Sequence, residues 1–129
     1  MEPSEFSVST ETRDGCHVIT VCGELDELTA PALHEELERA DGNQAVVDLS
    51  NVSFISSRAL HVLLRPRPQG RPAVVCPSGS VSRILDIVGA RRAIPVFPDL
   101  PSALMSLSLA DGNRQQRTTP SRLRARLRR

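Results

Sequence analysis

The segment from Val46 to Leu64, VVDLSNVSFISSRALHVLL, constrains the fold more than any other part of the chain. It begins with a short, nearly continuous apolar run, which is typical of a central strand that is buried on both faces. Ser56 and Ser57 follow, and then comes an apolar segment whose leucines share one helical face. Serine hydroxyls are favoured there because they accept hydrogen bonds from unpaired N–H groups at a helix N-terminus. The segment therefore predicts a strand followed directly by a helix whose first turn also suits a phosphate.

The rest of the chain alternates between strand and helix signals. An Asp-Gly turn after Arg13 joins two predicted strands, the second of which ends at Gly23. Further strands are predicted at residues 45–49, 73–76 and 94–97, and helices at residues 29–40, 57–65, 80–88 and 99–109. Thr29, Ser80 and Asp99 stand where helix caps are expected. The order ββαβαβαβα predicts an α/β fold in which helices pack on a mixed sheet.

Composition narrows the class of protein. The 129 residues fit one domain, and the three phenylalanines, with no Trp or Tyr, argue against a nucleic-acid binder that stacks bases on aromatic rings. No apolar run reaches the length of a membrane span, and the first residues lack the features of a signal peptide. Three cysteines without a CxxC pair are best explained by reduced, mostly buried thiols in a cytoplasmic protein.

The net charge of +1 hides a division of the chain. Residues 111–129 carry seven arginines and one aspartate, which gives +6, whereas residues 1–110 carry nine arginines and fourteen acidic residues, which gives −5. The polar composition of residues 111–129 predicts a disordered, arginine-rich tail after a single domain at residues 1–110. Such a tail is either a solubilising end or a binder of an acidic surface or nucleic acid, and only the tail makes nucleic-acid binding a reasonable alternative.

No catalytic or metal site is evident. The sequence contains no HExxH, GxxxxGK[ST], GxGxxG or GxSxG motif, and its three histidines lack the spacing of metal ligands. Ser57 and His61 share a helix face, but no third group orients the histidine for nucleophilic catalysis. We therefore expect no catalysis by this chain, no metal and no cofactor.

Three segments resemble the anti-sigma factor antagonists, which are small domains of the STAS fold. Residues 21–30, VCGELDELTA, are similar to the family pattern G-E-L-D-x-x-T-A. Residues 46–64 resemble V-x-D-L-S-x-V-x-F-I-D-S-S-G-L-x-V-L-L, and residues 81–97 resemble the weaker pattern V-x-R-x-L-x-x-x-G-L-x-x-x-x-x-F. The resemblance covers residues 6–109 and implies a single STAS domain, with a mixed sheet and helices packed mainly on one face.

The resemblance also implies a function in transcription regulation by partner switching. In this family the unphosphorylated domain binds an anti-sigma factor that is a serine kinase, and a sigma factor is thereby released. The kinase phosphorylates the first serine of D-S-S-G, which breaks the complex, and a metal-dependent serine phosphatase reverses the modification. Carried over to this chain, the phosphoacceptor is Ser57, and Ser56 is its fallback.

The chain departs from the family motif around that serine. Ser56 stands for the family's aspartate, Arg58 for the second serine, Ala59 for the glycine and His61 for a later glycine. Together with Arg65, these changes predict a basic outer helix face, which would stabilise a phosphoserine rather than let it repel an acidic partner. The switch is thus expected to be weakened, adapted to a different kinase, or lost.

A docking surface is expected where the two loops that carry the motifs meet. Both loops leave strands of one sheet at the same edge, and the predicted partner-binding residues are Glu24, Asp26, Glu27, Thr29, Ser56, Arg58, Ala59, His61 and Val62. Two alternatives stay open. Ser57 is only a helix cap in a constitutive STAS scaffold or binding module without phosphorylation, or the acidic loop is only a solvated helix cap.

Overall fold

A computed structural model describes residues 5–40, 43–68 and 70–108. The predicted tail at residues 111–129 and the predicted helix stop at Gly42 lie outside the described residues. Within the described ranges the elements follow the order ββαβαβαβα, so the predicted order of strands and helices is confirmed.

The sheet has five strands in the order β1-β2-β3-β4-β5. Their bounds are Ser7–Arg13, Cys16–Leu25, Gln44–Ile55, Ala73–Val75 and Val96–Phe97. The first two strands form an antiparallel hairpin, and every later pairing is parallel, which makes the sheet mixed as predicted. Because parallel neighbours need a crossover, a helix stands between each of the later strands.

Four helices accompany the sheet. Helix α1 spans Ala30–Arg39, α2 spans Ser57–Leu64, α3 spans Ser80–Ile87, and α4 occupies residues 100–108. A short 3-10 turn at Ala90–Arg92 leads from α3 into β5. Apolar residues with helical spacing form the inner faces of the first three helices, and these residues are mainly leucines in α1 and α2, and Val81 with Leu85 in α3.

Two apolar clusters lie on opposite faces of the sheet. The larger one joins α1, α2 and α3 to the central strands, with Leu33, Leu63 and Leu85 completely buried. The smaller one holds Val18 and Val46 against α4. Three helices therefore cover one face and one helix covers part of the other, which confirms the expectation that helices pack mainly on one face.

The two long strands extend beyond their predicted ends. Gly23 was expected to end β2, but the strand continues to Leu25 through an irregularity in its pairing with β3. Gly23 adopts φ +99°, and a Cβ added there would lie 2.9 Å from the Cα of Phe6. The glycine is thus needed for a bulge and a close approach to the chain before β1, both known uses of glycine within strands. Strand β3 likewise runs past Leu49, the predicted end of the strand, to Ile55.

The predicted caps have mixed outcomes. The carboxylate of Asp99 accepts a hydrogen bond from the N–H of Ser102 at 2.8 Å, so its capping role is confirmed. The capping role of Ser80 is wrong, because Gly79 holds the N-cap position and Ser80 is the first helical residue. Thr29 holds the N-cap position of α1 but makes no capping hydrogen bond with its side chain. Its hydroxyl is committed to the preceding loop instead.

None of the three cysteines forms a disulfide, and Cys16 and Cys76 are buried. Burial raises the pKa of the Cys76 thiol, since the charged thiolate is disfavoured away from water. Across the described ranges, no helix is long and apolar enough to cross a membrane. The same residues contain no cluster of three or more His, Cys, Asp or Glu side chains able to hold a metal ion.

Candidate functional site

The loops after β2 and β3 meet at one edge of the sheet. Leu25 and Ile55, the last residues of the two parallel strands, are paired in register. The N–H of Ser56 then donates to the carbonyl oxygen of Leu25 at 2.8 Å, which joins the start of the second loop to the end of the first. The predicted proximity of the acidic loop and the serine loop is therefore confirmed.

The loop at residues 26–29 is held together by its own hydrogen bonds. One carboxylate oxygen of Asp26 accepts from the N–H groups of Leu28 and Thr29, each at 3.0 Å. The Thr29 hydroxyl accepts from the N–H of Asp26 at 2.8 Å and donates to the carbonyl oxygen of Glu24 at 2.8 Å. The hydrogen bond from the backbone of Thr29 is the main reason that the pKa of Asp26 lies below its ordinary value.

That network has a consequence for the adjacent side chains. Because Asp26 and Thr29 satisfy each other, the loop has a defined shape and does not depend on a partner for its order. Leu28 at its tip is 88% exposed, which is unusual for a leucine, and Glu27 beside it is also exposed. The loop thus presents one apolar and one acidic side chain to solvent.

The two serines of the second loop have different environments. Ser56 is only 9% exposed, and its hydroxyl accepts a hydrogen bond from the N–H of Ala59 at 3.2 Å. It is the N-cap of α2, with the extended backbone that N-caps adopt. Ser57, the first residue of the helix, is exposed. Accessibility therefore favours Ser57 over Ser56 as an acceptor for any modifying enzyme.

The replacement of the family's glycine by Ala59 affects packing inside the domain. Ala59 is completely buried within the larger apolar cluster, so its methyl group packs inside the domain. Its side chain has no exposed surface to offer a partner, and contact between Ala59 and a partner stays a prediction. Alanine also stabilises a helix by about 0.5–1 kcal/mol relative to glycine.

A shallow groove of about 600 Å³ runs between α1 and α2, beside the acidic loop. It brings together predicted site residues from both loops with further side chains from the two helices, and it is lined by Glu27, His34, Ser57, Arg58, His61, Val62 and Arg65. Among the residues that the structure describes, Arg58 and His61 have no side-chain hydrogen bond or ion pair. The groove is thus rich in unpaired basic groups next to an exposed serine.

The remaining predicted partner-binding residues fall into two groups. Glu24 is exposed at the end of β2, opposite Phe54, and does not line the groove. Asp26 and Thr29 are half-buried within the loop network, whereas Val62 is half-buried on the groove wall. The geometry gives Asp26 and Thr29 a role in shaping the loop, and their contact with a partner stays a prediction.

Two arginines complete the far end of α2, which the prolines after Arg65 bring to an early stop. The guanidinium of Arg67 donates to the carbonyl oxygen of Val62 at 3.1 Å, and that of Arg71 donates to the carbonyl oxygen of Leu64 at 2.6 Å. The last carbonyls of a helix lack partners within it, so these contacts stabilise the shortened helix. Burial lowers the pKa of Arg67, although Glu38, 3.9 Å away, opposes that effect.

Some residues of the site were missed by the sequence reasoning. His34 lies on the polar face of α1, where its spacing indicates only solvent exposure, but it lines the groove, with Nε2 at 3.9 Å from the carboxylate of Glu38. Leu28 was overlooked because an isolated leucine in an acidic loop resembles a core residue. Its position in the turn before α1 could have indicated exposure, because an apolar side chain in such a turn does not reach the core.

Comparison with known proteins agrees with this geometry. The family model described as the STAS domain matches residues 7–103. The anti-sigma-F factor antagonist RsfB of Mycobacterium tuberculosis is 32% identical over 109 residues, which cover 79% of this chain and 89% of the relative. An anti-sigma F factor antagonist of Paenibacillus polymyxa is 26% identical over 113 residues, or 81% of this chain and 97% of the relative.

Solved structures show the same similarity. An anti-sigma factor antagonist from Mycobacterium paratuberculosis superposes with a TM-score of 0.72 at 30% identity, over 81% of this chain and 96% of that one. The anti-sigma factor antagonist SpoIIAA in its unphosphorylated form shares the fold, with a TM-score of 0.62 at 19% identity over 80% of this chain and 96% of that one. The five-stranded mixed sheet, the two joined loops and these matches together show that this chain belongs to the anti-sigma factor antagonists of the STAS domain family.

Proposed function

We propose that this chain binds an anti-sigma factor through the groove and its adjoining loop, and that this binding releases a sigma factor. The observation that carries the proposal is the exposed Ser57 at the start of α2, beside a loop that the fold holds in a fixed shape. The relatives in Mycobacterium and Paenibacillus, which are named as antagonists of anti-sigma factors, support the class of partner. Such a protein would act in the cytoplasm as a binding protein without catalysis of its own.

The proposed docking surface for the anti-sigma factor consists of Glu27, Leu28, Ser57, Arg58, His61 and Val62. Leu28 is its main apolar contact, since an exposed leucine on an ordered loop loses little entropy on binding and buries apolar area. The charged residues around it are of both signs, which favours selection among partners more than affinity. Glu24 lies beside this surface and would add a contact at its rim.

Regulation by phosphorylation is the second part of the proposal. The partner would be a serine kinase that modifies Ser57, and a metal-dependent serine phosphatase would restore the binding form. A phosphate adds a charge of about −1.5 to −2 at neutral pH. Placed in the middle of the docking surface, this charge would have to be desolvated in the complex, so it would weaken binding.

A constitutive binding module is the second candidate, and one observation favours it. Arg58 places an exposed guanidinium directly beside the acceptor serine, where the family has a small serine. A kinase that requires a small neutral neighbour would be excluded by this bulky cation. In that case the chain would bind its partner without being switched.

Affinity capture from the host with matched variants separates the two candidates. The tagged wild type and the Ser57→Ala variant should both recover an anti-sigma factor with kinase activity, whereas Ser57→Asp should recover much less. Addition of ATP should then release the partner from the wild type but not from Ser57→Ala. The Arg58→Ser variant, which restores the family's small side chain, should be released faster than the wild type if the arginine hinders the kinase.

The contrary results are equally clear. Equal recovery of one partner by the wild type and by Ser57→Asp, with no effect of ATP, would support the constitutive module. Failure of every variant to recover an anti-sigma factor, in a lysate where a known antagonist of that factor recovers it, would contradict the proposed function itself.

A further inference from the structure

The side chains that line the groove between α1 and α2 are mainly basic. Arg58 and Arg65 are both exposed on its wall, and among the described residues that line it Glu27 is the single carboxylate. His34 reaches it from α1 and His61 from α2. Within the described part of the chain, neither Arg58 nor Arg65 forms an ion pair with a carboxylate, whereas Arg39 and Arg91 do, so the charges on the groove wall are available to a ligand.

We propose that this groove is a receptor for the phosphate of phosphorylated Ser57. Arg58 and His61 hold the phosphoryl group on its own protein, so the modified state has a defined, charge-compensated structure. This inference rests on the proposed role of Ser57 as phosphoacceptor, and it adds how the modified state is stabilised.

The helical geometry places the required groups around Ser57. His61 is four residues further along α2, and residues at this spacing are neighbours on one helix face. Side chains of a helix lean toward its N-terminus, which is the direction of Ser57 from His61, and both residues line the groove. The unpaired guanidinium of Arg58 is long enough to fold over the phosphate, and guanidinium geometry matches phosphate oxygens in pairs.

The rest of the groove supports the same ligand. His34 and Arg65 enclose the space from the opposite side and from the next helical turn. The N-terminal end of α2 adds its dipole, which favours negative charge. Glu27 opposes the phosphate at the rim, so the compensation depends mainly on Arg58 and His61.

A phosphate on Ser57 that is held in the groove would affect partner binding in two ways. A phosphate bound in the groove is less accessible to enzymes than one in open solvent, and it occupies the space into which a partner side chain would insert. Release of the partner would then depend on a filled groove as well as on added charge. The basic substitutions beside Ser57 would thus adapt the switch rather than abolish it.

The test uses the full chain with phosphoserine incorporated genetically at position 57, so no kinase is needed. Urea unfolding of the phosphorylated protein, and of the same protein after enzymatic dephosphorylation, is measured at low salt for the wild type, Arg58→Gln and His61→Gln. Arg83→Gln is the matched control, because Arg83 is exposed on α3 and does not line the groove. This comparison isolates the coupling between phosphate and side chain.

We expect phosphorylation to raise the urea midpoint of the wild type and of Arg83→Gln, but not of Arg58→Gln or His61→Gln. Removal of the phosphate by a non-specific phosphatase should be about threefold slower in the wild type than in Arg58→Gln. The proposal is overturned if phosphorylation lowers the midpoint by the same amount in all four proteins. This test contains no kinase and no partner. Failure of ATP to release a captured partner would therefore count against the proposed control by phosphorylation, and it would leave the phosphate receptor to be judged by the unfolding data alone.

Discussion

The pair Ser56 and Ser57 allows a direct separation of a structural serine from a functional one. Replacement of Ser56 by alanine removes the hydroxyl that accepts from the N–H of Ala59, a residue with no exposed surface. Loss of an N-cap typically costs about 1 kcal/mol, and a buried N–H left without a partner raises the cost toward about 2 kcal/mol. Ser57→Ala removes an exposed hydroxyl and should change the free energy of unfolding by less than about 0.5 kcal/mol.

The assay is urea unfolding of the purified variants, monitored by circular dichroism. Thermal unfolding is a second readout. For a domain of this size, a loss of about 1–2 kcal/mol lowers the melting temperature by roughly 4–16 °C, which is easily resolved. Ser56→Asp is the matched control, because aspartate is an equally good N-cap and should retain most of the stability. In the binding assay the ranking should be reversed, with ATP-dependent release lost only in Ser57→Ala.

Two results would refute this reasoning. If Ser56→Ala were as stable as the wild type, the hydrogen bond to Ala59 would contribute nothing, and the division between the two serines would fail. If Ser57→Ala lost as much stability as Ser56→Ala, Ser57 would itself be structural. Its effect on binding could then no longer be attributed to modification.

The remaining predictions concern the loop and the strand that position the site. Gly23→Ala should destabilise the domain by about 2 kcal/mol or more, because its positive φ and the 2.9 Å approach to Phe6 both resist a Cβ, whereas Gly15→Ala, with an open surrounding space, should cost less in urea unfolding. Hydrogen bonds lower the folded-state pKa of Asp26, so its stabilising effect is present above the unfolded value of 3.8 and is lost as the pH falls through the lower folded value. Asp26→Asn should therefore be less stable than the wild type at pH 7, and acid titration of the two unfolding curves should show the difference shrinking below about pH 4.

Local sequence signals were sufficient for much of the fold. The apolar run at residues 45–49 predicted the core of β3, because a strand that is buried on both faces is apolar at successive positions. The spaced leucines after Ser56 predicted α2, because a helix that is buried on one side repeats apolar residues with helical spacing. The extension of β3 to Ile55 was not visible, because its last residues alternate irregularly between exposed and buried. Pairing with β2 stabilises that extension, and pairing of distant strands leaves no local signal.

The composition of the groove could be predicted only in part from the sequence. Arg58, His61 and Arg65 could be placed on one face of α2 from their spacing, but His34 belongs to α1 and joins them only because the two helices pack side by side. The same holds for Arg67 and Arg71, whose value as caps depends on the carbonyls that α2 leaves open after its early end. Contacts of this kind require the tertiary structure, since no spacing within one element encodes them.

The departures from the family motif therefore divide by burial. Ser56 and Ala59 lie in the interior, where one caps α2 and the other packs beneath it, so these two changes act on stability. Arg58 and His61 are exposed and line the groove with Ser57, so under the proposed function these two changes act on recognition. The paired serine variants test whether Ser57 is separable from the fold, and the phosphorylated groove variants test whether Arg58 and His61 hold a modified state, so the two experiments distinguish a retuned site from a lost one.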